Sequence, residues 1–368
     1  MGPHPAVAQA RACVRRCLGD LEPGDLVLAA CSGGADSLAL AAALAHEAPR
    51  LGLRGGGVTV DHGLQEGSAA QASRAEATLL ALGLDPVRRV RVVVPPGAGG
   101  PEAAARDARY TALEQEARQT GASAVLLGHT RDDQAETVLL GLARGSGARA
   151  LAGMPARRGR FRRPLLGLSR ATLRAACLAQ RLEPWDDPHN RDSSYARVRV
   201  RHQALPALEE ALGPGIAEAL ARSAAQLAAD CEALDDLARA EEGRIQGPDA
   251  TADISGGPRA TLDIEGLAEL APAIRTRVLR QAALTAGCPG GSLTATHLAA
   301  LDALVTGWHG QRGADLPGAI RVQRRYGRLL FSAGPASLRE RGGRRVRGGP
   351  VRVGSPERTE AEATGGRE

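Results

Sequence analysis

The stretch LVLAACSGGADSLAL, residues 26–40, decides the fold, because an apolar run leads into a Ser-Gly-Gly-Ala-Asp-Ser turn and an alanine-rich helical pattern follows. The apolar run predicts a buried strand over Leu26–Cys31, and the pattern after the turn predicts a helix over Ser37–Glu47. The backbone amides of such a turn converge on the helix N-terminus, which carries partial positive charge. The stretch therefore predicts a phosphate site built from backbone groups. The alternative is an ordinary glycine turn in which Asp36 or Ser37 only caps the helix.

Short apolar runs keep alternating with helical patterns through the first half of the chain. Further predicted strands are Gly57–Asp61, Val87–Val94 and Ala124–Gly128, and further predicted helices are Ala6–Leu18, Ala69–Leu82 and Ala103–Thr120. Strands separated by crossover-length helices form a parallel, doubly wound sheet, whose ligands lie at the carboxyl ends of the strands. We therefore expect an α/β fold with its site at that edge of the sheet.

The second half of the chain predicts a smaller, mainly helical domain. A helix near Arg170–Arg181 and a polar loop over Pro184–Ser194 complete the first domain, and an alanine and leucine pattern from Ile216 to about Arg244 predicts a connecting helix. The expected organisation is an α/β domain over residues 1–215, a linker helix and loop over 216–260, a helical domain over 261–335 that ends in the strand Arg328–Phe331, and a disordered tail over 336–368.

Composition excludes several kinds of site. The sequence contains no lysine, so all 47 basic residues are arginine. This excludes a Walker lysine, a Schiff base and a ligase that carries AMP on its own lysine. The six cysteines form no CxxC pair, which argues against a zinc ribbon or a disulfide framework.

Charge and hydropathy indicate the compartment and the class of partner. The net charge of +6 suits a polyanionic partner, because arginine forks match phosphate oxygens. The sequence shows no long apolar segment and no signal pattern, so we expect a cytoplasmic protein with no membrane partner. A homodimer is also compatible with the sequence.

Acidic residues lie at two of the predicted strand ends. Asp36 is a poor direct contact for phosphate, but it suits a Mg²⁺ ion that bridges phosphates. In the next motif the side chains of one helical face are His129, Asp132, Asp133 and Glu136. Such a cluster becomes stable once Mg²⁺ or a cationic substrate neutralises it. The alternative is a set of first-turn acids that favour the helix dipole.

Weaker signals lie nearby. Asp61 closes the second predicted strand in an Asp-His-Gly-Leu sequence, for which an ordinary strand-end turn is the alternative. Arg106 and Arg109 share one side of a helix with Glu102, and their guanidinium groups suit a triphosphate or a nucleotide. A solvated helix face is the alternative there.

Arginine is concentrated in one further region. The densest basic cluster in the folded part comprises Arg157, Arg158, Arg160, Arg162, Arg163, Arg197, Arg199 and Arg201. Contacts between these side chains and phosphates would position an RNA and would weaken with salt. A charged surface without a partner is the alternative.

Together these segments resemble the PP-loop (N-type ATP pyrophosphatase) superfamily, whose SGGxDS turn binds the phosphates of ATP without a Walker lysine. Over roughly residues 20–335 the chain is similar to the tRNA(Ile)-lysidine synthetase family. The specific motifs are HTRDDQAET at 129–137, WDDPHN at 185–190 and RVRVRHQALP at 197–206. Residues 293–304 and 316–331 resemble that family's RNA-contacting domain. The resemblance thus implies a PP-loop ATP-binding catalytic domain followed by a tRNA-binding domain.

The resemblance implies a two-step reaction on an isoleucine tRNA with a CAU anticodon. The C2 oxygen of the wobble cytidine attacks the α-phosphate of ATP and releases pyrophosphate, and free L-lysine then displaces AMP at C2. For the first step, the implied phosphate-binding residues are Ser32, Gly33, Gly34, Ala35, Asp36 and Ser37, and Asp61 is also implied in cofactor binding. The resemblance further implies Mg²⁺ binding by Asp36 and Asp133 and nucleotide contacts by Arg106 and Arg109. For the second step, it implies that Asp132 and Glu136 attract the lysine and that one of these acids or His129 takes up its proton.

Three other functions compete with this one. A PP-loop tRNA thiolase also adenylates a base, but it normally calls for paired or catalytic cysteines. A synthetase of the amidotransferase type on a free nucleotide would not need the arginine-rich region or the second domain. A non-catalytic RNA-binding protein would not need the acidic residues.

Overall fold

The computed structural model describes residues 2–61, 63, 67–93, 101–145, 147–187, 192–246, 258–311 and 313–334, with the backbone alone over 101–103. The chain forms two compact units that divide between Leu234 and Asp235. The division falls inside the long helix that the sequence predicts from Ile216. The predicted tail lies outside the described residues.

The first unit alternates helices with the strands of one sheet. Its helices are α1 (Pro5–Cys17), α2 (Ala35–Glu47), α3 (Ser68–Ala81), α4 (Pro101–Thr120), α5 (Arg131–Ala143), α6 (Ala148–Leu151), α7 (Arg170–Ala179), α8 (Ala196–Arg199) and α9 (Leu205–Leu212), and α10 (Ile216–Ile245) continues into the second unit. Its strands are β1 (Leu26–Ala30), β2 (Arg54–Asp61), β3 (Val87–Arg91), β4 (Ala124–Leu127), β5 (Arg157–Arg158) and β6 (Phe161–Arg162).

The sheet has the order β3-β2-β1-β4-β6-β5, and its strands are parallel except for the pair of β5 with β6. This confirms the predicted doubly wound α/β fold. β1 lies between β2 and β4, with Ala30 in register with Val58 on one side and Leu127 on the other. Because the crossovers from β1 and from β4 leave in different directions, the carboxyl ends of these two strands open a crevice.

Helices cover both faces of the sheet. On one face Val27 and Ala29 of β1 pack in a core with α1, α2, α3 and α7. On the other face Leu28 packs with Leu113 of α4 and with Phe161. The alternation along β1 is that of a strand buried on both sides, which explains why residues 26–30 read as an uninterrupted apolar run.

The second unit combines three helices and the end of α10 with an antiparallel sheet. Its helices are α11 (Ile264–Glu269), α12 (Pro272–Thr285) and α13 (Ala295–Thr306), and its strands are β7 (Ala260–Asp263), β8 (Ala314–Leu316), β9 (Ile320–Arg325) and β10 (Arg328–Ala333). The sheet order is β7-β10-β9-β8. The sequence predicted β10 alone, so the sheet is larger than expected. In β9, buried Ile320 and Val322 alternate with arginine and glutamine, which obscures the apolar pattern.

Membrane insertion finds no support in the helices. Within the described ranges, none of them combines the length and apolar character that a bilayer crossing needs.

Candidate active site

The glycine turn, Ser32–Ser37, joins β1 to α2. The Ser37 hydroxyl donates to the Gly34 carbonyl at 2.9 Å and accepts from the Ser32 amide at 3.2 Å. No described side chain caps α2, whose N-cap is Gly34. Neither Asp36 nor Ser37 therefore caps α2 with its side chain. The Ser37 hydroxyl instead fixes the backbone conformation of the turn.

Two glycines allow close approaches at this turn. Gly33 has a φ of 85°, and a Cβ there would lie 2.2 Å from Nε2 of Gln71. At the end of β4, a Cβ on Gly128 would lie 3.1 Å from both the Ser37 nitrogen and Cα. The absence of a side chain at Gly128 thus lets β4 deliver the next segment directly beside the N-terminus of α2.

That segment opens α5 with a capping box. Thr130 accepts from the Asp133 amide at 3.2 Å, and the Asp133 carboxylate accepts from the Thr130 amide at 2.8 Å. The box fixes the start of α5, and with it the direction of the acidic face.

The structure brings four predicted acids together, and we call Asp36, Asp132, Asp133 and Glu136 the acid cluster. Arg170, the first residue of α7, contacts all of them. Its Nη2 lies 2.9 Å from Asp133 Oδ1 and 3.3 Å from Glu136 Oε1, its Nε lies 3.7 Å from Asp36 Oδ2, and its backbone amide donates to Asp132 Oδ2 at 2.8 Å. A cation of the protein itself therefore lies among the four acids and partly offsets their charge.

Glu136 is fully buried and is held by two further arginines. The Nε atoms of Arg197 and Arg201 lie 3.3 Å and 2.7 Å from its carboxylate oxygens. These arginines are four residues apart on one helical face, which turns both guanidinium groups toward α5. A direct contact between Glu136 and lysine would require one of the three arginines to move.

Electrostatics differ sharply among the acids. Burial raises the pKa of Asp36 to about 7, an effect to which Asp133 and Asp132 add and which Arg170 opposes. Its Oδ1 is buried and finds no hydrogen-bond partner among the described residues. Burial would also raise the pKa of Asp133, but Arg170 and the Thr130 hydrogen bonds outweigh it, so that pKa is lowered. Asp133 therefore carries its negative charge more readily than Asp36 does.

His129 is a neutral imidazole. Burial lowers its pKa, and Arg163, Arg106 and Arg197 lower it further, against the opposing effect of Asp133. Its Nδ1 is buried without a partner in the described part of the chain. An imidazole whose pKa is lowered in this way is a weak base, so its position does not favour uptake of a proton from an ammonium group.

The remaining predicted residues lie at the rim. Asp61 is buried at the end of β2, where its Oδ1 accepts from the Gly63 amide at 3.0 Å, as a strand-end turn requires. Arg106 and Arg109 are exposed on α4, and the Arg106 guanidinium lies 5.1 Å from the Tyr110 ring centroid. Outside the described residues lie His62 and Leu64 of the Asp-His-Gly-Leu sequence, residues 188–190 of the WDDPHN motif and the Glu102 side chain.

Half of the arginine cluster is exposed, and the other half is buried or half-buried. Arg162 and Arg163 are buried, Arg162 against Asp20 and Arg163 against the Pro155 carbonyl. Arg160 donates to the Ala122 carbonyl, and Arg199 to the carbonyls of residues 193 and 194. The prediction of an RNA surface is therefore wrong for Arg162 and Arg163, which bind a carboxylate and a carbonyl of the protein itself.

Sequence analysis missed Arg170 and the approach of Trp185. The Trp185 amide donates to the Gly33 carbonyl at 2.9 Å, which ties the loop after α7 to the glycine turn. Arg170 carried a signal, because a cation in the first turn of a helix opposes the dipole and its presence suggests a tertiary partner.

Comparisons with known proteins match both units. A family model of the PP-loop domain matches residues 8–208, and one of the TilS substrate binding domain matches residues 262–330. A U34-tRNA thiolase from Methanococcus maripaludis, solved with its 4Fe-4S cluster, is similar in fold, with a TM-score of 0.51 and 17% identity over 61% of this chain and 80% of that one. At that identity the likeness concerns the fold alone.

Curated relatives are much more similar. The tRNA(Ile)-lysidine synthase of Thermobifida fusca is 60% identical over 90% of this chain and 99% of its own length. That of Streptomyces coelicolor is 53% identical over 91% of this chain and 100% of its own, and that of Rhodococcus erythropolis is 46% identical over 89% and 96%. Because it matches both family models and is 46–60% identical to these relatives over most of its length, the chain belongs to the tRNA(Ile)-lysidine synthase family.

Proposed function

We propose that the protein joins free L-lysine to C2 of the wobble cytidine of an isoleucine tRNA with a CAU anticodon, at the expense of ATP. The observation that carries the proposal is the meeting of the glycine turn and the acid cluster at the ends of β1 and β4. A phosphate seat beside a concentrated set of carboxylates suits an enzyme that activates one substrate with ATP and then accepts a cationic amine. The substrates of this reaction belong in the cytoplasm.

In the first step the turn Ser32–Ser37 binds the phosphates of ATP through backbone amides, and Arg106 and Arg109 flank the nucleotide. Asp36 and Asp133 are the ligands for Mg²⁺, which fits because a hard cation needs carboxylate oxygens and Asp36 Oδ1 is buried without a partner among the described residues. Mg²⁺ bound there would neutralise charge on the departing pyrophosphate. Asp61 lies at the end of β2, the strand next to β1, and contributes to cofactor binding at the same edge of the sheet.

In the second step the lysine ammonium must be bound and then lose a proton, because only the neutral amine is a nucleophile. Asp132 is the acid best placed to attract it, since Glu136 is enclosed by three arginines. Glu136 then acts as a positioning residue that holds α5, α7 and α8 together. The lowered pKa of His129 makes its imidazole a poor acceptor for an ammonium proton, so we assign the proton to Asp132, the acid that also attracts the amine.

The second unit supports tRNA as the large substrate. Tyr326 is 99% exposed at the turn between β9 and β10, next to Arg325, and Trp308 is 48% exposed and stacks on the Arg324 guanidinium at 4.8 Å. Aromatic and guanidinium planes of this kind stack on unpaired bases. The chain has only two tryptophans and three tyrosines, and two of these five residues, Trp308 and Tyr326, are exposed on the second unit.

Thiolation is the alternative, and the cysteines count against it. None of the six, all of which lie in the described part of the chain, forms a disulfide, and burial raises the pKa of the Cys31 thiol and raises that of Cys177 to about 12. Such thiols form little thiolate at neutral pH and are poor sulfur carriers.

The test is to incubate the protein with ATP, bulk tRNA and radiolabelled lysine. We expect label in one isoleucine tRNA, with one AMP and one pyrophosphate released for each lysine joined. Incorporation of sulfur instead, or binding of tRNA without AMP release, would refute the proposal.

A further inference from the structure

Arg170 holds an unusual place in the acid cluster. It contacts four carboxylates from the first turn of α7, where the helix dipole disfavours a cation. Ser169, the cap of the same helix, already accepts the Thr172 amide at 3.1 Å, so the helix start does not need Arg170. The acids therefore explain its position, and the local helix does not.

Within the cluster the contacts of Arg170 are not equivalent. Glu136 also forms ion pairs with Arg197 and Arg201, which do not depend on Arg170. The guanidinium bridges Asp133, at 2.9 Å, and Asp36, at 3.7 Å, which is beyond hydrogen-bond distance. The Asp36 contact is thus the weakest one, and it joins the two carboxylates assigned above to Mg²⁺.

We propose that Arg170 fills the cation position between Asp36 and Asp133 in the nucleotide-free protein and gives up Asp36 when Mg²⁺ arrives with ATP. The identity of the incoming ligand rests on the function proposed above. Arg170 retains its bonds to Asp133 and Glu136, and its backbone bond to Asp132, so α7 stays in place. The Nε side of the Arg170 guanidinium, which faced Asp36, is then available to a phosphate oxygen.

The arrangement makes entry of the metal depend on the nucleotide. A divalent ion alone would meet a guanidinium charge within a few ångströms and would gain only two carboxylates. ATP brings further oxygen ligands and negative charge, which offset the repulsion from Arg170. Arg170 is therefore a positioning residue that couples the metal to the nucleotide.

The experiment measures Mn²⁺ binding to the full chain without nucleotide, by the electron paramagnetic resonance of free Mn²⁺. We expect weak binding by the wild type and an affinity about tenfold or more higher in Arg170→Met, which keeps an unbranched apolar stem but removes the charged guanidinium. Adding Asp36→Asn to that variant should abolish the gain. The control is Arg174→Met, one turn further along α7, whose side chain is 59% exposed and pairs with Asp186 at 3.5 Å; it should bind Mn²⁺ as the wild type does.

Arg170→Lys carries the test if Arg170→Met does not fold. Its compact ammonium reaches fewer carboxylates than the guanidinium fork, so we expect an affinity between those of wild type and Arg170→Met. Folded variants that bind Mn²⁺ no more tightly than the wild type would overturn the inference. Because the titration contains no ATP, tRNA or lysine, its outcome is independent of the labelled-lysine assay, and either proposal can fail alone.

Discussion

Asp36 shows how much chemistry depends on a single side chain in this molecule. Its carboxylate is partly buried, has one unpaired oxygen among the described groups, and lies beside two other acids, so its charged form is costly unless a cation reaches it. A residue that destabilises the empty site in this way is expected to gain most when the site fills.

Replacing Asp36 with Asn keeps the shape and removes the charge. We expect lysine-dependent AMP formation to fall by about 100-fold or more, because a ligand of the metal is lost, while the Kd for tRNA changes by less than about threefold. The measurements are AMP release and filter binding. The control is Glu114→Gln, a partly exposed residue of α4 that pairs with Arg118. Near-normal turnover of Asp36→Asn would show that Asp36 does not take part in the reaction.

Gly128 sets the distance between β4 and the glycine turn. In Gly128→Ala the new Cβ meets the Ser37 backbone at 3.1 Å, so the turn must shift. We expect a loss of about 1–3 kcal/mol in the free energy of unfolding and about tenfold weaker ATP binding. Chemical denaturation and ATP titration check this against Gly147→Ala, where a Cβ meets nothing within 4 Å; equal behaviour of the two variants would contradict the steric argument.

Residue types at strand ends were enough to predict the acids of the site, since parallel strands bring their carboxyl ends to one edge. The partners of those acids could not be predicted. Arg170 lies 34 residues along the chain from Glu136, and nothing local marks which arginine turns inward. The roles assigned to the individual acids and to His129 stay predictions.

At the scale of elements, α8 and the turn of π-helix that follows it act as a clamp on α5. Arg197 and Arg201 were expected at an RNA surface, but the geometry directs them to Glu136. The two interpretations differ in what a substitution should do, because a phosphate contact changes tRNA affinity whereas a clamp changes the arrangement of catalytic groups.

Arg197→Met should lower kcat for lysidine formation by about tenfold or more and leave the salt dependence of tRNA binding unchanged. The removed charge leaves a buried carboxylate with fewer partners, which disturbs α5 directly. Steady-state kinetics and binding at several salt concentrations measure the two quantities. A drop in affinity with a shallower salt slope would instead support the RNA contact.

Asp20 links the end of α1 to the edge strands through Arg162 and Arg157. The Arg162 hydrogen bond, with that of Arg157, lowers the pKa of Asp20 to about 2. Because the folded pKa lies below the unfolded value of about 3.9, the stabilisation is complete above about pH 4 and is lost as the pH falls toward 2.

Asp20→Asn should therefore cost about 1 kcal/mol of unfolding free energy at pH 7, a figure discounted because the Asp20 side chain is 47% exposed. The difference from wild type should narrow below pH 4. Urea unfolding at pH 7, 5 and 3 tests this, and a difference that stays constant with pH would contradict the ion-pair origin.

Strands and helices of the first unit were largely predictable because each buried strand is an apolar run flanked by turn residues. In the second unit β7, β8 and β9 escaped, since they are short or carry arginine on the outward face. Their pairing depends on contacts between segments distant in sequence, which periodicity does not report.

At the scale of the whole molecule, the proposed function assigns a small-molecule site to the first unit and a large-substrate surface to the second. The first unit contains the glycine turn and the acid cluster, and the second presents the exposed aromatic side chains. Tyr326 has a φ of 50°, which tyrosine adopts at a cost, so local folding does not favour it at this turn.

Tyr326→Ser should raise KM for intact tRNA by about fivefold or more, the effect of losing one stacked base, and should leave kcat near the wild-type value. The matched control is Tyr326→Phe, which preserves the ring. Steady-state kinetics with intact tRNA measure both quantities. An unchanged KM for intact tRNA would show that the ring is not a contact.

The three arginines around Glu136 bear on whether the enzyme can modify its own side chains. Guanidinium groups stay protonated at any physiological pH and are not nucleophiles, whereas a lysine in the same position would offer an amine beside an activated cytidine. Since the sequence contains no lysine at all, no side-chain amine of this protein competes with the substrate. The site is thereby protected from self-modification, and an amine-reactive reagent would find the substrate's amines and no lysine side chain of the enzyme.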